Sequence, residues 1–245
     1  MKQLSILLAF ILGLNLLTAC SSDEKKADTP EGLFAIAQEY EKEERYEEAI
    51  KRYTDLKNRF PYSSMATKAE LAIADIHFKE ESYVEAQLSY TTFRELHPRH
   101  AQIDYVIFRT GMSFFNQLPE TIDRDLTVAH DAISSFTELI TNYSSSSHVA
   151  EAKAKRDEAI KKLAEKEDYI GDFYFKRGFH ESALPRYENL YKKYPGLGFD
   201  SRALGRIVIS AKKINDPTKA QKYFEILKDK YSNTSDYDDA RKAMR

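Results

Sequence analysis

The six histidines, the single cysteine and the many carboxylates of this 245-residue sequence are the groups that could hold a metal or carry nucleophilic chemistry. A helical zinc site needs two histidines four residues apart with a third ligand converging on them. His77, His97, His100, His130, His148 and His180 offer no such pair. His97 and His100 are near neighbours, but His97 occupies a slot held elsewhere in the chain by Phe60, Tyr143 and Tyr194, which makes it a packing residue before a ligand. There is no glycine-rich phosphate loop and no G-x-S-x-G elbow. Cys20 is the only thiol, so no disulfide can form within the chain. These residues point away from an enzyme, and neither a metal nor a cofactor is expected. Lys plus Arg number 37 against 39 for Asp plus Glu, a balance that points away from a nucleic-acid partner.

Cys20 has another chemistry open to it. Met1-Lys2 precedes a mostly apolar run from Leu4 to Leu17, and Leu17-Thr18-Ala19-Cys20 closes it. The run is shorter than the roughly 20 residues of a spanning helix and is interrupted by Asn15, so it reads as an export signal. Leu17 fits poorly at the −3 position of an ordinary cleavage site, where a small residue is wanted. The tetrapeptide looks like the lipobox of bacterial lipoproteins, in which the thiol is acylated and becomes the first residue; the competing reading is a free structural cysteine. Two or three acyl chains, each methylene adding about 0.8 kcal/mol, would give a lasting membrane anchor. Residues 1–19 are then a lipoprotein signal peptide and 20–29 a lipidated tether. Ser21 is not the Asp that commonly retains such lipoproteins in the inner membrane, which by that resemblance directs the chain to the outer one.

The elements that follow repeat. Leu33, Ile36-Ala37 and Tyr40, then Ala49, Tyr53 and Leu56, then Phe60-Pro61 form one set of offsets. The set returns at Ile73-Ala74, His77, Ala86, Tyr90, Phe93 and His97-Pro98, and again at Ile170-Gly171, Tyr174, Ala183, Tyr187, Leu190 and Tyr194-Pro195. Weaker copies include Gly111, Ala132, Phe136 and Tyr143, and Gly205, Ala220, Phe224 and Tyr231. These offsets are those of the tetratricopeptide pattern, a unit of about 34 residues built from two antiparallel helices. The small residues admit close helix approach, the large ones fill the space between hairpins, and Pro61, Pro98 and Pro195 end the second helix of three units. The expected fold is all-α, a tetratricopeptide superhelix of about five helical hairpins. Its first three hairpins occupy 30–148; a linking helix and the last two, with a tail, occupy 149–245.

Two departures stand out. Extra residues between Phe115 and Ala129, including Pro119 and Asp123-Arg124-Asp125, predict a loop at the third hairpin tip. Ala150 to Lys166 is charged with Ala and Leu at helical spacing, predicting one extended helix between the third and fourth hairpins. Binding is the use left to such a fold. Outward positions on the first helices include Phe78, Phe108, Met112 and Phe115, a row suited to an extended peptide with aromatic side chains. An equally open reading is that the four close the core against the Pro119 loop.

The lipobox, the five hairpins and the segment Leu96 to Val106, with its Ile103-Asp104-Tyr105-Val106, together resemble the BamD family of the outer-membrane β-barrel assembly complex. The Asp123-Arg124-Asp125 insertion, the stretch Tyr169, Phe173-Tyr174 and Arg177-Gly178, and Arg186 resemble it too. The resemblance implies a lipid-anchored scaffold on the periplasmic face of the outer membrane. It implies a first half that receives unfolded outer-membrane proteins through a C-terminal signal ending in an aromatic residue. It implies a second half that binds the last periplasmic domain of BamA, with Arg177 and Arg186 at that contact and other complex lipoproteins as further partners. The competing reading of Arg186 is an internal pair with Glu181 or Glu188. Other helical-repeat lipoproteins remain alternatives, such as a pilotin that carries secretin subunits, and from another class a peptidoglycan-processing enzyme.

Overall fold

A computed structural model describes residues 28–245. The signal peptide 1–19, Cys20 and the tether as far as residue 27 lie outside the described residues. Among the described residues there are eleven helices and no strands: α1 (Pro30–Lys42), α2 (Tyr46–Arg59), α3 (Ser64–Lys79), α4 (Tyr83–Leu96), α5 (Ile103–Asn116), α6 (Val128–Asn142), α7 (Val149–Lys176), α8 (His180–Lys193), α9 (Asp200–Lys213), α10 (Pro217–Tyr231) and α11 (Ser235–Met244). The all-α tetratricopeptide fold expected from the repeat is the fold found.

Four of the five hairpins turn by the same local chemistry. The tip residue after the first helix takes the left-handed conformation at Glu44, Glu81, Gly178 and Asn215, with φ of 60, 59, 77 and 62°. The next residue's N–H then reaches back to Tyr40, His77, Tyr174 and Ala211 carbonyls at 2.8–3.0 Å. This closure satisfies carbonyls that a helix end would otherwise leave unpaired. Four of the five second helices end alike: Phe60, His97, Tyr143 and Tyr194 leave the helical region at φ of −132, −127, −130 and −129°. Three of the four precede a proline, which disfavours helical geometry in the residue before it. Several starts are capped by a side-chain oxygen. Thr29 Oγ1 accepts from Gly32 N at 3.1 Å ahead of Pro30, and Asp216 accepts from Lys219 N at 3.0 Å ahead of Pro217.

The chain forms two compact units, divided after Ser113. In the first, α2 packs between α1 and α3, and α3 also carries α4. Its core holds Leu33, Ala37, Ala49, Tyr53, Leu56 and Ile76. In the second, α7 packs on α6 and α8, and α9 is covered by α8, α10 and α11. That core holds Ala183, Tyr187, Leu190, Leu204, Val208, Ala220 and Leu227. Gly171 shows why a small residue is needed at its slot, since a Cβ there would lie 3.0 Å from the Tyr187 ring. The expected extended helix is present and longer than its charged stretch: α7 runs unbroken for 28 residues and includes the first helix of the fourth hairpin. The expected loop spans 117–127 and is bound down, with Lys162 Nζ donating to the Pro119 and Glu120 carbonyls at 3.4 and 3.3 Å and Lys166 Nζ donating to that of Arg124. Leu126, 2% exposed, packs with Ala129 and Leu163 beneath it. Helix α8 continues through Pro185.

Candidate partner-binding surfaces

In the first unit, helices α3 and α5 bring Asp75, Phe78, Tyr105 and Arg109 to a cleft of about 470 Å³, with Tyr83 and Lys79 at its wall. Asp75 Oδ1 accepts from the Tyr90 and Tyr105 hydroxyls at 2.6 and 2.7 Å. Burial pushes the Tyr105 hydroxyl up to about 12, and pushes that of Tyr90 up as well, so both remain protonated donors. The Arg109 guanidinium lies 3.7 Å over the Phe78 ring, and its Nε donates to the Tyr90 hydroxyl at 3.4 Å. Phe78 in turn meets Tyr83 edge-on at 5.3 Å. A cation clamped on an aromatic wall, above a fixed carboxylate and two hydroxyls, suits the capture of a peptide.

The four aromatic and methionine candidates separate. Phe78 lines the cleft and is half-buried; Met112 is half-buried on α5. Phe108 is buried at 5% exposure, a core side chain. Phe115 belongs to the second unit, where Lys155 Nζ sits 4.6 Å over its ring and Phe136 lies 6.5 Å away. Sequence reasoning missed Arg109, whose signal is a lone cation in an otherwise apolar stretch of α5. His97 is a packing residue, its ring 4.8 Å from Phe93 and its Nε2 2.6 Å from Glu70. Among the described residues no group of three His, Cys, Asp or Glu could hold a metal, and no helix is long and apolar enough to cross a membrane.

The second unit exposes Tyr169 and Phe173, one helical turn apart on α7, and Phe179 just beyond it, at 50, 44 and 57%. Arg177 ends α7, donating to the Phe173 carbonyl at 3.1 Å with its guanidinium 3.7 Å over that ring. Exposed aromatic rings with an arginine laid on them are what protein interfaces favour. Arg186, on α8, is 40% exposed and pairs with Glu167 of α7 at 3.4 Å. The competing reading, an internal pair with Glu181 or Glu188, has the wrong partner: the internal pair is made with Glu167 of the preceding helix. Glu188 serves elsewhere, accepting from the Tyr223 hydroxyl at 3.2 Å and facing Lys219 at 3.5 Å. Nearby, Arg202 bridges Asp168 and Asp172 at 2.9 Å each, though its Asp168 contact has the distance of an ion pair without hydrogen-bond geometry.

Stacked hairpins with an aromatic cleft and an arginine-bearing aromatic surface define a tetratricopeptide adaptor. The chain belongs to the YfiO family, described as an outer membrane lipoprotein, whose model matches residues 26–227. Among its relatives, "Outer membrane protein assembly factor BamD" of Neisseria meningitidis serogroup B is 28% identical over 88% of this chain and 86% of its own. The protein of the same name from Rickettsia prowazekii is 27% identical over 100% and 97%. A solved tetratricopeptide protein from Parabacteroides merdae is similar at a TM-score of 0.41 and 11% identity, covering 88% of this chain and 85% of that one.

Proposed function

We propose that the chain is a lipid-anchored adaptor of outer-membrane protein assembly, held at the periplasmic face of the outer membrane by acylated Cys20. It works there with BamA and other lipoproteins of the assembly complex. The observation that carries this reading is the family match across 26–227, which covers the described part of the first unit and most of the second. The residues give each unit a use. The Phe78–Arg109 cleft receives unfolded outer-membrane proteins, its rings taking aromatic side chains near their C-termini and its cation an acidic group. Arg177 and Arg186, within 149–245, meet the last periplasmic domain of BamA, where a half-exposed guanidinium can take a carboxylate through two nitrogens. The test is co-purification of the native protein from outer membranes in mild detergent. BamA is expected in the eluate, and its absence would argue against the assignment.

A further inference from the structure

The Arg186–Glu167 pair has an unusual balance. Only Nη1 of Arg186 engages Glu167 Oε1, at 3.4 Å, whereas a strong charge-assisted contact is about 2.7–2.9 Å and often two-pronged. Glu167 is the less exposed partner at 20%, and its Oε2 is buried with no hydrogen-bond partner. Its chain neighbours hold other groups: Lys166 reaches to the Arg124 carbonyl and Asp168 to Arg202. The Tyr194 hydroxyl, raised first by burial, is raised further by the negative charge of Glu167. Arg186 is therefore the cation on which a half-buried carboxylate depends, while the arginine keeps most of its N–H groups unspent.

We infer that Glu167 is a latch: it holds Arg186 inside the chain and competes with the partner's carboxylate for it. This rests on the reading that Arg186 meets BamA. A two-pronged carboxylate displaces one long contact, so the partner wins. The transfer strips Glu167 of its cation and leaves it charged and poorly solvated, which opposes binding. The latch also selects, because an acceptor offering a single neutral oxygen gains too little to open it.

Titration calorimetry of the full chain in detergent against purified BamA periplasmic domains tests this with five proteins: wild type, Glu167→Gln, Glu167→Ala, Arg186→Ala and the Glu167→Gln, Arg186→Ala double variant. Glu167→Gln keeps the shape and removes the charge, and is expected to tighten binding about two- to fivefold, the range set by a part-exposed ion pair. Glu167→Ala should move affinity the same way. Arg186→Ala should weaken binding, and in that background Glu167→Gln should do nothing. If Arg186→Ala weakens binding while Glu167→Gln leaves it unchanged or weaker, the latch is wrong and the Arg186 contact stands. A gain from Glu167→Gln that persists without Arg186 also overturns the latch. If Arg186→Ala binds as wild type, the contact and the latch fall together.

Discussion

Tyr53, Tyr90 and Tyr187 fill equivalent core slots, yet their hydroxyls fare differently. That of Tyr53 donates to Glu41 at 2.8 Å and that of Tyr90 to Asp75 at 2.6 Å, while that of Tyr187 is buried near the Arg202 guanidinium without a hydrogen bond of normal geometry. Tyr90→Phe should therefore cost about 1 kcal/mol in urea unfolding, since Asp75 loses one of its two hydroxyl donors, whereas Tyr187→Phe should be neutral or stabilising. Arg186 answers to a different measurement. Arg186→Glu should weaken binding to the BamA periplasmic domains by about 1–2 kcal/mol and also lower the melting temperature, because it sets a second carboxylate beside the poorly exposed Glu167. The slots were legible in the sequence because they recur with the repeat. The partners were not: Arg109 meets Phe78, and Arg186 meets Glu167 nineteen positions back, through packing between helices that no local spacing encodes.

Helix boundaries were legible wherever one residue dictates them, as at Phe60-Pro61 and Tyr194-Pro195, and less so where nothing interrupts. Nothing between Val149 and Lys176 breaks a helix, so the linking stretch and the first helix of the fourth hairpin fuse into α7. Its Gly171 is fixed by Tyr187. Gly171→Ala gains about 1 kcal/mol of helix propensity but forces a contact of 3.0 Å on a fully buried ring, and overpacking of about 1–3 kcal/mol should win. A lowered urea midpoint with unchanged slope would show it. The 117–127 loop was legible as an insertion, but not as a segment tied to α7 by Lys162 and Lys166. Replacing both lysines with alanine should speed protease cleavage within 117–127 and leave the melting temperature nearly unchanged, since both contacts are at or near the surface.

At the scale of the whole molecule, two units of different surface chemistry share one proposed anchor. Cys20→Ser should remove the protein from the outer-membrane fraction, because the thiol that would carry the acyl chains is gone. A general part in assembling outer-membrane barrels is tested by depleting the protein and quantifying folded barrels in the outer membrane by heat-modifiable mobility and proteomics. A broad fall across unrelated barrel proteins is expected; a loss confined to one secretin, with other barrels at normal levels, would rule that part out.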